Sequence, residues 1–126
     1  MTKVLVIEDN ADNLKIITYA LQRAGYAVIS AERGETGIEL TLRESPGFII
    51  MDINLPGIDG IETTRRIRAL ETGVRVPIIA ITSYALAGDR ERFLAAGCNG
   101  YVEKPIDPMT LVEELHRIIK KGEVKP

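Results

Sequence analysis

The stretch FIIMDINLPGIDG, residues 48–60, decides how this chain must fold. Four consecutive apolar residues, Phe48-Ile49-Ile50-Met51, end in an aspartate and run into a loop holding Pro56, Gly57 and Gly60. Continuous rather than alternating apolarity describes a strand covered on both faces, as in a parallel sheet. Such a strand has no use for an unpaired carboxylate, because burying the charge costs several kcal/mol or drives it to protonate. Asp52 is therefore either where the strand meets water or where something is held.

Working outward, Val4-Leu5-Val6-Ile7 and Ile78-Ile79-Ala80-Ile81 are runs of the same kind, and Ala27-Val28-Ile29 and Tyr101-Val102 are weaker ones. Segments with helical spacing lie between them. In residues 11–24 the apolar stripe is Ile17, Leu21 and Ala24, flanked by Leu14 and Ala20, and Gly25 offers a stop. In the last helix Asp107 is a natural N-cap, Pro108 fits the first turn, and Leu111, Leu115, Ile118 and Ile119 share a face. Five β-then-α units result, with no linker, repeat or low-complexity stretch. The expected domain spans residues 1–121, with 122–126 as a flexible C-terminal tail. Right-handed crossovers between neighbouring strands favour a doubly wound α/β sheet with strand order 2-1-3-4-5.

Composition narrows the class. The chain has 126 residues, 45% hydrophobic and 27% charged, as expected of one globular domain. A net charge of −2 gives no basic field for nucleic acid or an anionic membrane. Cys98 is the only cysteine, which excludes an intramolecular disulfide and a cysteine-based zinc cluster. No apolar run approaches the roughly 18 residues of a membrane span, and the N-terminus lacks a signal-peptide core. A cytoplasmic protein is expected.

The chemistry gathers where the strands end. The first ends in Glu8-Asp9, the third in Asp52, the fourth in Thr82-Ser83 and the fifth in Glu103-Lys104-Pro105. Open parallel sheets bind ligands beyond the carboxyl ends of their strands, where strand order reverses. Order 2-1-3-4-5 sets strands 1 and 3 side by side there, crowding Glu8, Asp9 and Asp52 together. Three carboxylates stay ionised in so small a volume only if a cation shares it. Oxygen ligands favour a hard ion, and magnesium takes one or two carboxylates while keeping several waters. A magnesium beside a carboxylate, a hydroxyl and a lysine can bind a phosphoryl group. Asp52 is then a candidate phosphoryl acceptor.

These residues resemble the receiver domain of two-component response regulators over nearly the whole chain. The resemblance is carried by Glu8-Asp9-Asn10, by Met51-Asp52-Ile53-Asn54-Leu55-Pro56 with Gly57 and Asp59-Gly60, and by Ile81-Thr82-Ser83, Gly97-Cys98 and Tyr101-Val102-Glu103-Lys104-Pro105. The distances in sequence from Asp52 to Thr82 and Lys104 are similar to those of chemotaxis-type regulators. EDNADN, residues 8–13, is similar to the variant of hybrid-kinase receivers and small cell-cycle regulators. Gly47 departs from the aspartate that many receivers carry before the third strand, which touches loop geometry and no chemistry.

The resemblance implies a flavodoxin-like (βα)5 fold and a set of roles. Glu8 and Asp9 would hold magnesium, joined by Asp52 and the backbone carbonyl of Asn54. Asp52 would take a phosphoryl group from a histidine kinase or histidine phosphotransfer protein. Lys104 would pair with a phosphoryl oxygen, and the Lys104–Pro105 bond is expected to be cis. Thr82 would move in to bond the phosphoryl group, and Tyr101 would follow from an exposed to an inward rotamer. The face of the fourth helix, fifth strand and fifth helix would then report the change to an unidentified downstream protein. The donor would dock around Asn10, Asp12, Asn13 and Leu14 at the first turn of helix 1, and at Ile106 in the loop after Lys104. Enzyme activity would be limited to self-catalysed phosphoryl uptake and slow loss.

Plainer readings hold elsewhere. His116 is expected to be exposed, Cys98 to be a small buried apolar residue, and Arg65, Arg66 and Arg68 to form the solvated face of helix 3. Asp9 is also a candidate cap for helix 1. The rival function is a magnesium-dependent phosphatase of haloacid dehalogenase type, which also forms an aspartyl phosphate. That class resembles Asp-x-Asp after its first strand, whereas Asp52 follows the third and Asn54 replaces the second aspartate. A flavin-binding reading fails for want of a Ser/Thr-rich phosphate loop and flanking aromatics.

Overall fold

The computed structural model describes residues 2–71, 75–83 and 86–123. Five strands, β1 (Lys3–Ile7), β2 (Ala27–Ala31), β3 (Phe48–Asp52), β4 (Ile78–Thr82) and β5 (Gly100–Glu103), alternate with five helices. The helices are α1 (Ala11–Arg23), α2 (Gly34–Glu44), α3 (Gly60–Leu70), α4 (Asp89–Ala96) and α5 (Leu111–Glu123). The strands form one parallel sheet in the order β2-β1-β3-β4-β5, the order expected from the sequence.

The unbroken apolar runs occupy the middle of the sheet. Every residue of β3 and β4 is buried, as is all of β1 beyond Lys3, while the edge strand β2 is mostly half-buried. Alternate residues feed opposite faces. Leu5, Ile7, Ile49, Met51 and Ile78 pack with Phe93 on one face. Val4, Val6, Ile50 and Ile79 meet Ile17, Leu21, Leu111 and Leu115 on the other. Each fully buried side chain of this size contributes about 1.5–3 kcal/mol through removal from water.

The helix ends follow local chemistry. Asn10, not Asp9, caps α1: its Oδ1 accepts from the Asn13 N–H at 2.9 Å. Ile17, Ala20 and Leu21 are buried on α1, whereas Ala24 is exposed, because the helix ends at Arg23 and Gly25 turns the chain away with φ +94°. Asp107 does cap, but one turn ahead of α5: its carboxylate accepts from the Met109 N–H and its carbonyl from Thr110 and Leu111. α5 continues to Glu123, two residues into the stretch expected as a tail; residues 124–126 lie outside those described.

Candidate functional site

Register puts the strand ends together. Ile7 pairs with Met51 across β1 and β3, and Asp52 pairs with Ile81 of β4, so Glu8, Asp52 and Thr82 emerge at one edge. α3 begins against the same point. Gly60 donates its N–H to the Ile53 carbonyl, and a Cβ on Gly60 would collide with the Asp52 carbonyl oxygen. Only glycine lets helix and strand end approach so closely. The loop between them is fixed on the acid itself, with the Asn54 N–H donating to Asp52 Oδ1 at 3.1 Å.

Glu8, Asp9 and Asp52 each offer a carboxylate oxygen, and these oxygens lie within 4.8 Å of one another. Glu8 and Asp52 are only 1% and 2% exposed; Asp9 faces solvent. Lys104 Nζ stands 3.4 Å from Asp52 Oδ1 and 3.9 Å from Glu8 Oε1. Glu8 Oε2 accepts from the Asn10 N–H at 3.2 Å, but the buried Oε1 has no hydrogen-bond partner among the described residues. Burial, reinforced by the Asp52 carboxyl beside it, pushes the Glu8 pKa from 4.5 to about 7. One ammonium thus faces crowded carboxylates and leaves a buried oxygen unmatched. That donor set fits a hard divalent cation, which would fill the deficit that Lys104 alone leaves.

The remaining expected residues fall at different depths. Thr82 ends β4 and is 5% exposed. Tyr101 on β5 is half-buried and packs edge-on against Phe93 of α4, with ring centroids 5.7 Å apart. The Lys104–Pro105 peptide is cis. Asn10 and Asp12 are exposed, Asn13 and Leu14 half-buried. Leu14 joins Glu8 and Asp9 in lining an open cavity of about 750 Å³. Ile106, expected at the rim, is instead 7% exposed and packs into the core cluster that holds Leu111, so it supports the loop from beneath.

Arg33, not among the residues expected at the site, lines the same cavity from the loop after β2. A cation two residues past the end of β2 is the signal the sequence offers. Arg68 also differs from expectation. Arg65 and Arg66 are exposed, but the Arg68 side chain is only 12% exposed and is held by backbone carbonyls. His116 is exposed and 2.6 Å from the Tyr26 hydroxyl; Cys98 is buried. No helix among the described residues is long and apolar enough to cross a membrane.

Comparison with known proteins agrees with this geometry. The profile of the response regulator receiver domain matches residues 4–116. The polar-differentiation response regulator DivK of Brucella ovis is 35% identical over 116 residues, covering 91% of this chain and 94% of that protein. Among solved structures, chemotaxis protein CheY4 of Vibrio cholerae superposes with a TM-score of 0.88 at 29% identity, over 94% of this chain and 98% of that one. The receiver domain of sensor histidine kinase PA1611 from Pseudomonas aeruginosa PAO1 is 42% identical with a TM-score of 0.84, at the same coverages. That structure is described with a magnesium ion coordinated in its active site cleft.

Proposed function

Because this chain belongs to the response regulator receiver family, we propose that Asp52 is its phosphoryl acceptor and that Glu8, Asp9, Asp52 and the Asn54 carbonyl hold magnesium. The chain is a signalling receiver rather than a conventional enzyme, and nothing among its relatives supports the phosphatase alternative. The observation that carries the site assignment is the buried Glu8 Oε1, which has no hydrogen-bond partner among the described residues and has the Lys104 ammonium, shared with Asp52, only at 3.9 Å. A buried oxygen without a hydrogen bond is costly, and the phosphorylation-competent site would remove that cost by admitting the cation.

In the transfer, an Asp52 carboxylate oxygen attacks the phosphorus of a phosphohistidine. A P–O bond forms, the P–N bond breaks, and the imidazole leaves with the electron pair. Magnesium, when bound, offsets negative charge on the phosphoryl oxygens. Lys104, already 3.4 Å from Asp52, contributes the second positive charge. Little else is needed, because phosphoryl transfer is governed by positioning and electrostatics. The Asn54 N–H keeps the Asp52 carboxylate oriented.

Thr82 and Tyr101 carry the signal in this reading. The Tyr101 ring rests on Phe93, so any rotation of that ring alters the seat of α4. The face of α4, β5 and α5 would then bind its downstream protein differently. The donor, a histidine kinase or histidine phosphotransfer protein, would dock on Asn10, Asp12, Asn13 and Leu14.

Incubation with acetyl phosphate and magnesium, followed by mass spectrometry, tests the acceptor. Wild type should gain one acid-labile phosphoryl group, and both Asp52→Asn and removal of magnesium should abolish it. Uptake by Asp52→Asn at the normal rate would move the acceptor elsewhere.

A further inference from the structure

Helices α1, α2 and α3 all begin at the carboxyl edge of the sheet, yet α2 begins differently. Asn10 caps α1 and Asp59 caps α3, each accepting a backbone N–H from the first turn. The same position on α2 holds Arg33, whose guanidinium has no acceptor to offer and makes no side-chain cap. A cation there also opposes the positive end of the helix dipole. Local chemistry gives no reason for an arginine at this position, and such departures concentrate at functional sites.

Arg33 faces the acceptor site. Its side chain is 55% exposed and lines the open cavity that Glu8, Asp9 and Pro56 also line. The guanidinium lies against Gly57, in the loop that follows Asp52. A Cβ on Gly57 would come within 2.9 Å of Arg33 Nη2, so the arginine uses the space that glycine leaves. Glu35 Oε1 stands 3.9 Å from Arg33 Nε, but both side chains are half exposed and the pair is weak. Exposed Glu32 lines the cavity as well. Neither acid cancels the influence of Arg33, because Coulomb terms add. Removing the guanidinium changes the potential at the acid cluster by one charge, whatever Glu32 and Glu35 carry.

A cavity of about 750 Å³ is roughly 11 Å across if round, close to one Debye length at 0.1 M salt. A cation fixed on its wall therefore acts on both ions of the reaction, in opposite directions. It repels a divalent cation held by Glu8, Asp9 and Asp52, and it attracts a dianionic phosphoryl donor. Resting on the acceptor reading above, we propose that Arg33 tunes this site through its charge, weakening magnesium binding while drawing the phosphoryl donor in. Arg33 acts through space in this role, as neither a metal ligand nor a catalytic residue.

Two measurements on the full chain test this, each in about 0.05 M and about 1 M salt. One is magnesium affinity from amide NMR shifts, and the other is the rate of uptake from acetyl phosphate at saturating magnesium. In low salt, Arg33→Met should bind magnesium about two- to threefold more tightly and take up the phosphoryl group about two- to threefold more slowly. Arg33→Glu should move both further in the same directions, and Arg33→Lys, which keeps the charge, should stay close to wild type. The differences should fade in about 1 M salt, where screening reaches in to about 3 Å. An arginine that only braces the loop at Gly57 gives another pattern: its loss weakens magnesium binding and slows uptake together, at either salt. Should Arg33→Met unfold, Arg33→Glu decides. Unless both shifts appear in low salt with opposite signs and fade in high salt, the proposal is overturned. A wild type that binds no magnesium or takes up no phosphoryl group would instead overturn the acceptor reading itself, and the proposal with it.

Discussion

Arg68 on α3 donates two hydrogen bonds to the carbonyl of Gly97, from Nε at 2.9 Å and from Nη2 at 2.7 Å. The same guanidinium donates to the Val76 carbonyl at 2.6 Å, to Glu71 at 2.8 Å and to the Asn99 side chain at 3.0 Å. Asn99 in turn accepts from the Ile78 N–H at the start of β4. The end of α3, the start of β4 and the turn between α4 and β5 are thus tied to one planar cation. Burial lowers its pKa, with Glu71 opposing the shift.

Arg68→Ala should destabilise the fold by about 2–3 kcal/mol, because it strands partly buried carbonyls and Glu71 without their donor. The acceptor site lies at the other end of α3, so phosphoryl uptake per folded molecule should be little changed. Urea unfolding alongside acetyl phosphate kinetics checks both halves. A stability loss below about 0.5 kcal/mol would mean that water replaces the guanidinium at these acceptors.

Glu8 gives a pH dependence with a definite sign. Its pKa is raised from 4.5 to about 7 by burial first and by Asp52 second, so the folded state holds the proton more tightly than the unfolded one. The stabilising contribution is complete below pH 4.5 and is lost as pH rises through about 7. The metal-free protein should lose about 1–2 kcal/mol between pH 5 and pH 8 from this group. Glu8→Gln should flatten that slope and weaken magnesium binding, while wild-type magnesium affinity should climb across pH 6–8 as the proton leaves. Equal slopes for wild type and Glu8→Gln in metal-free denaturation would contradict the assignment.

The parts legible in the sequence share a physical cause. β1, β3 and β4 are buried on both faces, so their apolar runs carry no alternation and their ends stand out as polar residues. That contrast marks Glu8, Asp52 and Thr82 as strand-end positions, while the role of Thr82 follows from the family resemblance. Arg68 was not legible, because its partners at Gly97 and Asn99 come from a turn brought near only by the folded sheet. On a helix an arginine beside two other arginines reads as solvated. Ile106 failed similarly: only the path of the loop after β5 decides whether an apolar residue points to the core or the rim. Arg33 carries no such mark, because β2 before it is an edge strand, mostly half-buried and weakly apolar.

Lys104 should separate uptake from signalling. Lys104→Ala removes the ammonium now 3.4 Å from Asp52, yet a bound cation would still supply much of the charge stabilisation. Uptake from acetyl phosphate should slow but remain measurable. Phosphorylation is expected to shift the NMR signals of Tyr101 and its neighbours on α4, β5 and α5 in wild type and to leave them unshifted in the variant. A variant with wild-type spectral changes would remove Lys104 from the signalling step.

Leu14 tests the docking surface. Transfer requires a histidine in line with Asp52, so the donor protein must cover the carboxyl edge of the sheet. The first turn of α1 borders that edge, and there Leu14 is half-buried beside the open cavity that Glu8 and Asp9 line. It is thus able to offer apolar area to a helical partner, whereas the buried Ile106 is not. Charging such an anchor costs about 1–2 kcal/mol of binding or more. Acetyl phosphate needs no docking surface. Leu14→Asp should therefore slow transfer from a phosphorylated histidine protein at least about tenfold while leaving uptake from acetyl phosphate near the wild-type rate. Equal slowing with both donors would make Leu14 a support of the site or the fold, and no slowing with either would move the docking surface off α1.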